Sequence, residues 1–148
     1  MPGRAEKQKG KRPAPVGRPA RLSRELIAQT ALELVAQRSL ADLTLRTLAE
    51  RLRATPMALY KHLAGRAELE LLVVEHSFAS LALPSMDLAP VEWLARVAKS
   101  VRAIGLSYPG VMDYLLDHGP VAEPALRIFD RTVVILHRAG LSYREAGE

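Results

Sequence analysis

Three features of the 148-residue sequence predict an all-α fold. Leucine and alanine, both strong helix formers, supply 24 and 22 of the residues. Apolar side chains recur at helical spacing in segment after segment. No stretch shows the apolar–polar alternation of a half-buried strand. At 49% hydrophobic and 25% charged residues, the composition is that of a globular chain with one domain, or two small ones sharing a core. The absence of cysteine excludes a disulfide framework, a thiol nucleophile and a cysteine-ligated metal. No apolar run approaches the roughly 18 residues of a membrane span. The first 20 residues hold no hydrophobic segment, so a secretory signal is not expected, and a cytoplasmic location is.

The elements can be justified in order. Residues 1–21 mix basic side chains with Pro2, Pro13, Pro15 and Pro19 and with Gly3, Gly10 and Gly17. They hold too little apolar surface to offset ordering entropy, and a disordered arm is expected. Ser23 can cap a first helix reaching about Arg38, with Ile27, Ala31, Leu34 and Val35 on its inner face. Thr44 caps a short second helix, Leu45 to Leu52, and Arg53-Ala54 makes a turn. Thr55-Pro56 reads as N-cap plus first helical residue, where proline loses no helical hydrogen bond. That third helix is expected from Pro56 to Leu63, stopped by Gly65.

A longer helix follows from about Arg66 to Leu81, with Leu69, Leu72 and Val73 inward, joined by His76 or Ser80. Pro84 and Pro90 bracket a loop, and Pro90 opens a helix to about Ile104 on Leu94, Val97, Val101 and Ile104. Tyr108-Pro109 restarts the chain into a short helix through Leu116, broken by His118-Gly119-Pro120. Glu123 to Ala139 reads as another helix, with Leu126, Phe129, Val133 and Leu136 inward and Gly140 as its C′ residue. Ser142 looks like the cap of a further helix.

Charge is unevenly spread along this frame. Residues 1–21 carry +6, residues 22–66 carry +3 and residues 67–148 carry −4, which sum to the net +5. A basic front half on an acidic back half suits a polyanionic partner at one end. The second and third helices form a helix-turn-helix over residues 44–63. In such a unit the first helix braces the second, whose N-terminal residues enter the DNA major groove. With Leu59 and Leu63 turned to the core, Thr55, Pro56, Met57, Tyr60, Lys61 and His62 are left outward. Tyrosine, lysine and histidine in succession suit phosphate contact through hydroxyl, ammonium and imidazole N–H.

The stretch Leu22 to Leu72 resembles the DNA-binding domain of the TetR (tetracycline-repressor-like) family of bacterial regulators. The resemblance lies in IAQTALELV (27–35), LTLRTLAERL (43–52), TPMALYKHL (55–63) and GRAEL (65–69). It implies a three-helix DNA-binding domain over 22–66 and a helical effector-binding and dimerisation domain over 67–148, which would be incomplete. By position, Thr55, Pro56 and Met57 would face bases, and Tyr60, Lys61 and His62 would hold phosphates. Thr44, Arg46 and Arg66, at the starts of their helices, would add backbone contacts, where the dipole favours an anion. Trp93, Met112, Tyr114 and Phe129 would line an effector cavity, or else simply be core.

The implied function is a sequence-specific transcriptional regulator, a repressor released by a small-molecule effector. Its partner would be a double-stranded DNA operator, with no cofactor and no membrane. The family is homodimeric, but a chain ending where the next helix begins is expected to dimerise weakly. The alternative is a helical protein-interaction or ligand-binding module without DNA binding. The family usually has glycine where this chain has Ser39 and Arg53, and both places often need a left-handed backbone.

Other chemistry finds little support in the residues. His62, His76, His118 and His137 pair with no second ligand at metal spacing, so no metal site is expected. His76 and His137 read as polar groups lining a helix bundle. Glu68, Glu70 and Glu75 read as a solvated helix face rather than paired catalytic carboxylates. No glycine-rich phosphate loop and no G-x-S-x-G is present, and no enzymatic residue is assigned.

Overall fold

A computed structural model describes residues 22–142 and residue 144. The expected arm over 1–21, and most of the helix expected after Ser142, lie outside the described residues. The described chain is helical throughout: α1 (Arg24–Gln37), α2 (Leu45–Leu52), α3 (Pro56–Leu59), α4 (Arg66–Phe78), α5 (Pro90–Ser107), α6 (Val111–His118) and α7 (Glu123–Arg138). None of these helices is long and apolar enough to cross a membrane.

Local chemistry sets the helix ends. The Ser23 hydroxyl accepts the Leu26 N–H at 3.2 Å and caps α1. Thr44 and Thr47 close a reciprocal box at α2, each hydroxyl accepting the other's backbone N–H at 3.1 Å. Gly140, at φ +103, ends α7 in a Schellman motif. Its N–H donates to the His137 carbonyl and the Leu141 N–H to that of Leu136.

Several boundaries differ from the sequence-based expectation; α6, for one, starts at Val111 and takes in His118 instead of ending at Leu116. The helix α3 closes at Leu59 rather than Leu63, because the next turn tightens: the His62 N–H donates to the Leu59 carbonyl, three residues back. At the end of α4, Ala79 and Leu81 likewise bond three residues back, so the helix stops at Phe78 instead of Leu81. The helix α5 runs past Ile104 to Ser107 and breaks at Tyr108, which Pro109 excludes from helical geometry.

The helix α4 is the spine of the molecule. It packs on α1 at one side and on α7 at the other, while α2 bridges α1 and α3, and α5 packs on α6 and α7. One buried cluster runs from Ile27, Leu48 and Leu59 through Leu69, Leu72 and Phe78 to Val111 and Ala125, so the packing continues across residues 66 and 67. A second, smaller cluster joins Trp93, Val97 and Ile135.

The phase of α7 corrects part of the expectation: Val133 and Leu136 are half-buried, but Leu126 and Phe129 are not turned inward. Ala125 and Ile135 are buried and Ile128 and Thr132 half-buried, whereas Leu126 and Phe129 are 43% and 44% exposed. The helix carries two apolar stripes one residue out of register, 125/128/132/135 and 126/129/133/136. The slimmer stripe fits against α4 and α5, and the Thr132 hydroxyl within it is satisfied by the Ile128 carbonyl at 2.7 Å.

The α5–α6 turn docks on the front of the molecule. The Leu40 N–H donates to the Pro109 carbonyl at 2.9 Å. Gly110 has φ +86, and a Cβ there would lie 3.0 Å from the Leu40 Cβ. Both features call for glycine at this joint.

Candidate nucleic-acid interface

The helix-turn-helix is built from α2, a two-residue turn and α3. Arg53 is the only non-glycine residue with positive φ among the described residues, at φ 52. The left-handed turn expected at this place therefore forms without glycine, at a cost of roughly 1–2 kcal/mol. It lets the Ala54 N–H reach the Ala49 carbonyl at 2.9 Å and turns the chain into α3. Ser39 does not have positive φ. Its hydroxyl accepts the Ala41 N–H at 3.2 Å, so the bend after α1 needs no left-handed residue.

Thr55 caps α3, its hydroxyl accepting the Ala58 N–H at 3.3 Å, and Pro56 follows as first helical residue. Leu59 and Leu63 are buried, as their spacing requires. The rest of the turn faces outward. Met57 is 71% exposed and Tyr60 52%, Thr55, Pro56 and Lys61 are also exposed, and His62 is half-buried. Five of the six predicted residues are thus exposed and one half-buried, in a strip that runs from the N-cap of α3 into the turn after it. Among the described residues, neither Lys61 in the strip nor Arg53 in the turn before it makes an ion pair.

The three residues predicted at helix starts are already engaged. The Thr44 hydroxyl caps α2. Arg46 lies on the exposed face of α2, 3.1 Å from Glu50. Arg66 sits 2.7 Å from Glu70 and donates to the Ala41 carbonyl at 3.1 Å, tying α4 to the loop between α1 and α2.

Two residues absent from the sequence-based assignment organise the end of the strip. The Arg24 guanidinium donates to the His62 carbonyl at 3.1 Å and to the Glu68 carboxylate at 2.6 Å. The second oxygen of Glu68 accepts the Ala64 N–H at 2.6 Å. That backbone bond, with Arg24 beside it, holds the Glu68 carboxyl below the usual carboxylate range. A signal for the pair existed. Arg24 opens α1, where the helix dipole disfavours a cation, and so asks for an external acceptor.

The four residues predicted to line an effector cavity do not converge. Trp93 is fully buried in the second cluster, its indole N–H donating to the Pro84 carbonyl at 3.3 Å. Met112 packs against Gly105, and Tyr114 stacks on His118 with ring centroids 4.2 Å apart. Burial, with the Glu70 carboxylate nearby, pushes the Tyr114 hydroxyl up. Phe129 lines a cavity of about 260 Å³ shared with Phe78, Leu115 and Ile128. A second cavity of about 460 Å³ lies on the other side of Phe78 and Ile128 and is flanked by Arg127, Asp130 and Arg131. His76 is half-buried over the Leu72 carbonyl, and His137 is on the surface rather than in the bundle.

No family model and no curated protein matches the sequence. Solved structures do match. BioQ, crystallised with its double-stranded DNA operator, superposes with a TM-score of 0.76 at 25% identity, covering 86% of this chain and 78% of that one. A possible TetR family transcriptional regulator from Streptomyces coelicolor gives 0.72 at 29% identity, covering 84% and 62%. ActR, the Streptomyces coelicolor TetR family protein in complex with actinorhodin, gives 0.71 at 26%, covering 83% and 59%. The chain has the TetR fold. It spans less than two thirds of the length of the last two solved chains.

Proposed function

We propose that this chain is a sequence-specific DNA-binding transcriptional regulator, a repressor released by a small-molecule effector. One observation carries the reading. A helix of a single turn buries Leu59 completely yet leaves Met57 and Tyr60, its largest neighbours, 71% and 52% exposed. Apolar and aromatic side chains held in water at the two ends of a one-turn helix, beside Arg53 and Lys61, which make no ion pair among the described residues, suit a polyanion whose groove carries thymine methyls between polar base edges. Thr55, Pro56 and Met57 lie where base edges are reached in a helix-turn-helix, and Tyr60, Lys61 and His62 lie where phosphates pass. That BioQ, of the same fold, is crystallised with its double-stranded DNA operator supports DNA as the partner.

Release by an effector is supported by α4. Its start holds the α1–α2 loop through Arg66, and Phe78 at its end lines both cavities. A ligand seated beside Phe78 would favour one tilt of α4 and so one setting of α3, a population shift between DNA-competent and incompetent states. ActR in complex with actinorhodin supports a small molecule in this role. A two-fold operator would need two copies of the chain with their recognition helices one DNA turn apart.

The test is selection from a pool of random 30-base-pair duplexes by the full chain. A short enriched motif, lost on heating the protein through its melting transition, is the expected result. Recovery of a pool with its starting composition would contradict the reading.

A further inference from the structure

The turn that presents Tyr60, Lys61 and His62 has little to hold it in place. The helix α3 is four residues long, far below the length at which a helix has stability of its own. Leu59 and Leu63 anchor the turn by their side chains, both pointing into the same core. They set how deep the turn sits, and α2 packs on α3 beside them. The backbone beyond the turn is gripped instead by two charged side chains from other helices. Arg24 reaches across from the start of α1 to the His62 carbonyl, and Glu68 reaches back from α4 to the Ala64 N–H. The two grips are joined by the 2.6 Å ion pair between them.

We propose that Arg24 and Glu68 are positioning residues for the DNA-facing turn, locking α3 against α1 and α4 through the backbone of residues 62–64. The proposal rests on the DNA-binding reading above. Three points favour geometry over stability as the role of this pair. Both side chains are partly in water, at 45% and 33% exposure, where an ion pair contributes little to folding. The groups they hold are a carbonyl and an N–H, which leaves the side chains of Tyr60, Lys61 and His62 free for a ligand. The pair is neutral overall and so adds no net attraction for phosphate. A split carboxylate, one oxygen on the backbone and one on a guanidinium, also fixes direction more tightly than a single bond does.

Glu68→Gln tests the proposal because it separates two roles. If Arg24 itself contacted phosphate, freeing it from Glu68 would strengthen binding and steepen the salt dependence. If the pair positions the turn, binding weakens although every phosphate-binding side chain is still present. The measurement is affinity of the full chain for a 30-base-pair duplex that the wild type enriches from a random pool, and for the unselected pool, at several salt concentrations. The expected result for Glu68→Gln, and for Arg24→Met, is a loss of about tenfold on the selected duplex, as for one charge-assisted bond. The loss on the random pool is smaller, the slope of log affinity against log salt is unchanged for Glu68→Gln, and helix content is kept. Equal or tighter binding by Glu68→Gln overturns the proposal. Amide hydrogen exchange provides a readout independent of DNA. Faster exchange in Glu68→Gln at residues 60–64, with α5–α7 unchanged, supports the lock, and unchanged exchange there overturns it. A wild type that enriches no duplex overturns the DNA-binding reading, while the exchange result still decides the lock.

Discussion

Truncating Lys61 to alanine removes one charge from the outer strip and nothing from the core. Its ammonium makes no ion pair among the described residues, and the side chain is exposed. Stability should therefore move by no more than about 0.5 kcal/mol. If Lys61 holds one phosphate, the slope of log affinity against log salt should fall by about 0.9 per recognition helix. Between 50 and 200 mM salt, a fourfold change, the wild type's advantage over Lys61→Ala should then shrink by about 3.5-fold. Fluorescence anisotropy on a selected duplex across that range gives both slopes directly. Leu59→Ala is the companion variant. With Leu59 fully buried in the main core cluster, it should cost about 2–5 kcal/mol and lower the melting temperature sharply. Equal salt slopes for wild type and Lys61→Ala would refute the phosphate role. A lysine variant that melts early beside a leucine variant that does not would refute the helix phase itself.

Met57→Ala should change the consensus recovered by binding-site selection more than it changes affinity, because a thioether offers a base only apolar contact; an identical consensus would mean that Met57 reads no base. Gly110→Ala should cost about 1–3 kcal/mol by thermal melting, because a side chain there is strained at φ +86 and its Cβ would lie 3.0 Å from the Leu40 Cβ. An unchanged melting temperature would contradict the close approach at the joint. Because the Glu68 carboxyl is held below its ordinary range, the stability it contributes is present above that range and lost as pH falls through its lowered value. The gap in melting temperature between wild type and Glu68→Gln should accordingly be full at pH 7 and vanish in acid, and a gap that persists in strong acid would contradict this.

Much of the front of the molecule was readable because its signals are local. Ser23, Thr44 and Thr55-Pro56 each announce a helix start within four residues, and each caps as expected. Gly140 announces the end of α7 in the same way. The outward strip on α3 follows from the spacing of Leu59 and Leu63 alone. What was not readable depends on contacts between residues far apart in the chain. Arg24 and Glu68 are 44 residues apart, and nothing local names them as partners. Arg66 looked free at a helix start, yet Glu70 and the Ala41 carbonyl occupy it. In α7, two apolar stripes of similar strength left the inward face to be chosen by α4 and α5, which took Ile128 and Ile135 over Phe129. For Trp93 the family resemblance left a cavity wall or plain core open, and it is core, its one polar group satisfied by the Pro84 carbonyl.

The central claim is that the outer strip of α3 meets DNA. Titrating the isotopically labelled full chain with a selected duplex, and following backbone amide shifts by NMR, tests it most directly. The account predicts that the largest shifts fall on residues 53–62, with smaller ones at the start of α2. Shifts confined to α5–α7, or none at saturating duplex, would contradict it.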